Sequence, residues 1–239
     1  MPTWHDFYYA DLQSLWALLV APFGFLVYRV VRGDASQCAE ARFLSRYTLL
    51  WAVLTMLDPI ATGPLSRVLG IAGEQAGTLV MFVFVLLGDL RVFVLLFGLP
   101  AQSSSSEPAQ RWKVRAVGFS LIVPLATGAL YGTLSWLYPD IPGQTMWLIY
   151  EASFFAMAIW LARRAIPEAV GPEHPELRAL LTSCAAYAAT YYALWAACDI
   201  AILAGVDAAW AVRAVPNQLY YALWIPFVYV RSTSLRAGS

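Results

Sequence analysis

Apolar runs long enough to cross about 30 Å of hydrocarbon recur along the chain at about 12–32, 44–63, 77–99, 114–138, 144–165, 178–204 and 215–232. In lipid every backbone polar group must be satisfied within its own segment, so each run predicts a helix. The expected fold class is an all-α integral membrane protein, a single domain over 1–239 with seven transmembrane helices. Two polar stretches between runs read as connectors. AQSSSSEPAQ (101–110) is a flexible link, and IPEAVGPEHPEL (166–177) is a Pro-rich turn.

Charge then orients the runs. Arg29, Arg32, Arg42 and Arg46 follow the first, Arg111, Lys113 and Arg115 the third, Arg163, Arg164 and Arg178 the fifth, and Arg231 and Arg236 the seventh. The alternate loops hold only Arg67 and Arg213. The positive-inside rule places the N-terminus outside and the C-terminus inside. MPTWHDFYYADLQ carries acids where a cleavable signal peptide carries basic residues, so the first run is read as a true span. The expected location is a cell membrane, multi-pass, of the bacterial inner-membrane type.

Composition agrees with this picture. The chain is 60% hydrophobic and 13% charged, too little charge to cover a water-soluble surface of this size. A formal charge of zero gives no argument for nucleic acid. Cys38, Cys184 and Cys198 form no CxxC and are read as free thiols. His5 and His174 both lie outside the apolar runs, which argues against a bis-His haem or a multi-His zinc site. No cofactor or metal is expected.

Within the runs a few polar residues stand out. LLWAVLTMLDP (49–59) sets Asp58 and Pro59 in a hydrophobic stretch, and ALWAACDIAI (193–202) does the same with Asp199. The orientation puts Asp58 in the outer half, Glu151 in the outer third and Asp199 near the outer end. Asn217, Gln218, Tyr220 and Tyr221 fall at that level, with Asp89 and Arg91 near mid-membrane. Helical spacing gives Trp51 and Asp58 one face, as it does Trp147 with Glu151 and Trp195 with Asp199. Charge within hydrocarbon is costly, so such residues face the protein interior or water and commonly serve function. The pattern predicts an outward-facing cavity of carboxylates and Trp faces, with a Pro-Asn-Gln rim. A structural reading stands beside it: Arg91 neutralising Asp89, Asp58 or Glu151 as an interhelical ion pair, and Asp199 shallow enough to be solvated. Most Trp and Tyr near run ends read as interfacial belts, with Trp51, Trp195 and Trp224 the exceptions. Pro59, Pro124 and Pro226 predict kinks.

The chain also echoes itself. LQSLWALLVAPF (12–23) and GQTMWLIYEASF (143–154) align at Gln13/Gln144, Trp16/Trp147 and Phe23/Phe154. Trp51…Asp58 and Trp195…Asp199 repeat a pattern at different spacing. Repeats four spans apart share an orientation, which suggests parallel three-helix units over 12–99 and 143–232 with 114–138 as linker helix. In a chain with 10 Trp such matches also arise by chance. On these features, together with VPNQLYYAL (215–223), Trp51, Trp195 and Pro22, the chain resembles the SWEET and PQ-loop transporters. That resemblance implies a three-plus-one-plus-three helix arrangement, an outside N-terminus and transport of a small solute. The chain departs from the pattern in having no Pro-Gln pair and no Asn in the third run to match Asn217. A rhodopsin-type photoreceptor is excluded, because the only Lys is Lys113, in a loop, and no retinal Schiff base can form in the last span.

Three function classes follow. The first is a small-solute transporter or permease, with Trp51, Asp58, Asp89, Arg91, Glu151, Trp195, Asp199, Asn217, Gln218 and Tyr221 as ligand-binding or proton-coupling candidates. The second is a membrane enzyme using paired carboxylates on a lipid or isoprenoid; no nucleophile–His pair or metal motif supports it. The third is a non-catalytic sensor or assembly partner. Expected partners are the bilayer and a small-molecule or lipid ligand, with homo-oligomerisation left open.

Overall fold

The computed structural model describes residues 3–32, 38–61, 74–103, 111–233 and 235, and among them no strand occurs. A short α1 (Trp4–Tyr8) precedes α2, which covers 11–32 with a π-helical turn at Trp16–Val20. Next come α3 (Ala39–Ala61) and α4 (Glu74–Gly98), the latter continued by one turn at Pro100–Ser103. After α5 (Arg111–Leu137), α6 (Gln144–Ala169) carries a π turn at Leu161–Ala165. Then α7 (Pro175–Leu203) leads to α8 (209–231), which has its own π turn at Gln218–Leu223.

A helix lies under each predicted run. The starts differ most at α3, which begins at 39 rather than 44, and at α8, which begins at 209 rather than 215. Ile166–Ala169 extends α6 by a turn where the sequence predicted a connector. The end of the 44–63 run, Arg67, most of the 101–110 connector and Arg236 lie outside the described residues.

Among the described residues four helices are long and apolar enough to cross a membrane: Val83–Gln102, Arg111–Leu137, Gln144–Ala169 and Pro175–Leu203, of 20, 27, 26 and 29 residues. α5 shows the character of their surface. Val114, Leu125 and Trp136 on it are each at least 69% exposed, a composition suited to hydrocarbon and not to water. α2 presents a similar stripe, with Leu12, Trp16, Val20, Phe23, Val27 and Val30 all exposed at three- and four-residue intervals.

Helices adjacent in the chain pack side by side from α2 to α8, and α8 returns against α2 and α3. The most extensive seam joins α6 to α7. On α7 the small side chains of Cys184, Ala185, Ala188 and Ala189 are buried, and Ala188 lines a small cavity with Phe154, Met157 and Ala158 of α6. Cys38, Cys184 and Cys198 are free thiols. Between α7 and α8 the chain reverses at Gly205, whose φ of 85° is a left-handed conformation that suits glycine. Val206 N–H then donates to Ala201 C=O and Gly205 N–H to Ile202 C=O, closing the helix end.

Candidate functional site

Two polar centres sit in the packed interior, and the candidate residues divide between them. The first gathers at Asp89 on α4. Its carboxylate accepts hydrogen bonds from the hydroxyls of Tyr150 on α6, Tyr192 on α7 and Tyr220 on α8. Close approach of α4 and α8 makes this reach feasible, because Gly88 leaves open the space where a Cβ would meet the Tyr220 hydroxyl. Asp89 is 1% exposed, so three phenols replace the water that a buried carboxylate would otherwise lose.

Arg91 lies two residues on and is also buried. Its Nη2 donates to the Tyr220 carbonyl, and its guanidinium stacks 4.1 Å from the Tyr220 ring centroid and 5.6 Å from that of Trp224. That carbonyl is accessible because Tyr220 lies in the π turn of α8, where wider helical hydrogen bonding leaves backbone groups open to side chains. The neighbouring Leu219 carbonyl accepts from the Tyr187 hydroxyl at 3.0 Å. On the other flank Trp224 Nε1 donates to the Tyr47 hydroxyl, which donates to the Arg91 carbonyl, both at 2.9 Å.

The second centre is built on Arg213 of α8. Its guanidinium pairs with Glu151 of α6 at 2.9 Å and with Asp199 of α7. Exposure is 6% for Arg213, 3% for Glu151 and 0% for Asp199. The remaining partners come from two further directions. Arg213 Nε donates to the Tyr8 hydroxyl at 3.2 Å, and that hydroxyl donates to Asn217 Oδ1 at 3.2 Å. Trp195 Nε1 donates to the same Oδ1 at 3.0 Å. Burial pushes the Tyr8 phenol above its ordinary range, with Arg213 pulling it back. α1 therefore closes over the triad. It is held there by Trp4 N–H donating to Asp207 at 3.3 Å and by the rings of His5, Tyr8 and Tyr9 around Trp210.

Trp195 joins the two centres. While its indole N–H serves Asn217, its ring packs 5.1 Å from Tyr220 and 5.9 Å from Tyr192, both Asp89 partners. Tyr150 and Glu151, adjacent on α6, serve one centre each.

This arrangement changes several expectations. Glu151 pairs with Arg213 and not with Arg91. Asp199 is fully buried instead of solvated. Arg213, read from the sequence as a loop residue, belongs to α8 and organises the second centre. Asp58 lines a cavity with Trp51, Arg91 and Tyr221. Pro59 follows it in α3, removing one backbone donor from the helix. Gln218 sits at the start of the π turn, half-buried, with its Oε1 unpartnered. The cavities at Asp58 and at Asp89 are about 20 and 10 Å³, room for about one water each.

The sequence reading missed Tyr8, Tyr47, Tyr150, Tyr192 and Arg213. Arg213 had a signal, since it stands four residues before Asn217 and therefore on the same helical face. The tyrosines had none, because nothing local separates those few from the other tyrosines among the 13.

The fold and its interior define a helical bundle in which four of the described helices are long and apolar enough to cross a membrane, with a polar core of two arginine–carboxylate centres. No protein-family model matches this chain, and no similar curated protein or solved structure was found.

Proposed function

We propose that this chain is a seven-helix membrane transporter for a small solute, coupled to a proton at the Arg213–Glu151–Asp199 triad, with its N-terminus outside and its C-terminus inside. One observation carries the reading: buried carboxylates on α6 and α7 face a single guanidinium on α8. Two acids and one base leave one negative charge in a site screened from solvent, and a low-dielectric interior penalises that charge heavily. One more positive charge belongs there during the working cycle. A proton supplies it in one state, and the cationic group of a solute in another, with the rings of Tyr8 and Trp210 already placed against the Arg213 guanidinium. The π turn of α8, with Pro216 before it and Pro226 after it, sets a weak point of the helix between the two centres.

The test uses the full chain in proteoliposomes containing a pH-sensitive dye, challenged with a panel of small organic cations and neutral polar solutes. At least one solute is expected to move protons, and Glu151→Gln with Asp199→Asn is expected to abolish the signal in correctly inserted protein. No proton movement across the panel, or an unchanged signal in the double variant, refutes the reading.

The small cavities at Asp58 and Asp89 favour a second reading. In it the chain is a non-transporting sensor or assembly partner whose polar centres fix helix register. Acid variants would then keep their cellular phenotype and lose only thermal stability.

A further inference from the structure

A cavity of about 20 Å³ lies between α3, α4 and α8. Trp51, Thr55 and Asp58 line it from one face of α3, spaced by four and then three residues. Gly88 and Arg91 line it from α4, and Tyr221 from α8. Two of these residues carry buried donors that find no hydrogen-bond partner among the described residues, Trp51 Nε1 and Arg91 Nε. Arg91 spends its Nη2 on the Tyr220 carbonyl. The Thr55 hydroxyl is already given to the Trp51 carbonyl at 2.8 Å. The cavity at Asp89 differs in kind. It is about 10 Å³, Tyr192 on it has given its hydroxyl to Asp89, and the rest of its lining is apolar.

Two unpaired donors and a carboxylate around one small space call for a molecule that both accepts and donates. A buried N–H left unpaired carries the full cost of its desolvation. Water has two lone pairs for the two donors and hydrogens for an acceptor, and it needs only about 10–15 Å³. Asp58 supplies the acceptor. A carboxylate offers about four such positions, so this contact does not require Asp58 to lack other partners. A halide would satisfy the donors but would sit against the Asp58 carboxylate, which repels it. We infer that the cavity is a binding site for a single ordered water, accepting from Trp51 Nε1 and Arg91 Nε and donating to the Asp58 carboxylate. Through that water Asp58 is tied to Arg91. α3 thereby gains a second polar link to the first centre, beside the hydrogen bond from the Tyr47 hydroxyl to the Arg91 carbonyl. The inference rests on the packing of α3 against α4 and α8 and not on transport.

The test is proton-detected NMR of the full chain in nanodiscs, with its tryptophans labelled at the indole nitrogen and Trp51→Phe used to assign the Trp51 signal. A cross-peak between the Trp51 indole proton and water is expected, with opposite signs in NOE and ROE spectra. That sign pattern marks a held water and not exchange of the N–H itself. Thr55→Leu, which fills the cavity with carbon, is expected to abolish the cross-peak. Thr55→Val with Tyr221→Phe, which removes two hydroxyl protons from the lining, is expected to keep it. No cross-peak, like signs in the two spectra, or a cross-peak that survives Thr55→Leu overturns the inference. So does its loss in the Thr55→Val, Tyr221→Phe variant, which would mean relay through a hydroxyl. Exchange of chloride for bromide is expected to leave the Trp51 indole shift unchanged, and a shift that follows the halide would show an anion in the cavity instead. Should Thr55→Leu fail to insert, the wild-type signs, the hydroxyl-free variant and the halide exchange still decide between these outcomes.

Discussion

The two polar centres satisfy buried charge by different means. At Asp89 the carboxylate is surrounded by phenols, and Arg91 spends its guanidinium on a backbone carbonyl and two aromatic faces. At Arg213 the charges meet directly, two acids on one base, with Tyr8 and Asn217 completing the shell. Neutral donors bring no excess charge, so the first centre resembles a structural knot that tolerates small edits. The second carries a charge imbalance and depends on a single cation. Its position beneath α1 also places it closer to the bundle end.

Removing each cation should separate the two centres most sharply. Arg213→Met leaves Glu151 and Asp199 buried against one another, and a loss of about 3–5 kcal/mol or failure to fold is expected. Arg91→Met removes a cation–π contact and a carbonyl partner but leaves Asp89 with its three phenols, so its cost should be clearly smaller. Thermal unfolding of both variants in one detergent measures the difference, and equal losses would erase the distinction drawn here.

A smaller effect tests the phenols. Tyr192→Phe and Tyr150→Phe each remove a donor to a buried carboxylate, for about 1.5–3 kcal/mol. Tyr220→Phe, whose hydroxyl stands at 3.2 Å, should cost less. A reversed ranking in chemical unfolding would mean that the Tyr220 ring under Arg91, and not the hydroxyl, carries that position.

Gly88→Ala probes the same centre through the backbone. The added methyl occupies the place of the Tyr220 hydroxyl, so α4 and α8 must part, at about 1–3 kcal/mol by overpacking. Combined with Tyr220→Phe the two effects should be less than additive. Strict additivity would place the strain elsewhere.

The smallest effect concerns the cover of the second centre. α1 is closed by a capping box in which Asp6 and Thr3 exchange hydrogen bonds. The Thr3 backbone N–H, and then its hydroxyl, hold the Asp6 carboxyl below its ordinary value of 3.8. A depressed folded value stabilises α1 above pH 3.8 and loses that contribution as pH falls through the lowered value. Amide exchange of the Asp6 and Phe7 N–H groups should therefore quicken below that range in the native chain. In Asp6→Asn it should be independent of pH there once corrected for intrinsic rate.

Much of the architecture was legible in the residues. Apolar runs of 20 or so residues can satisfy their backbones only as helices, so α2 to α8 fall where the pattern put them. Asp58, Asp89, Arg91, Glu151 and Asp199 stood out because charge among apolar neighbours is rare. Which of them meet was not legible, because the answer depends on how each helix is rotated and how deep it sits. Glu151 could have faced Arg91 by depth alone, and the α6–α7 seam turns it to Arg213 instead.

The sequence by itself determined an all-helical, lipid-suited chain with a handful of charges to be explained. Tertiary structure alone decided that those charges form two centres, that Arg213 and Tyr8 belong to one, and that tyrosines surround Asp89 in the other. The physical reason is reach. Helix formation is set by hydrogen bonds four residues apart, whereas Asp89 and Tyr220 are separated by 131 positions and meet only when α4 and α8 pack across Gly88.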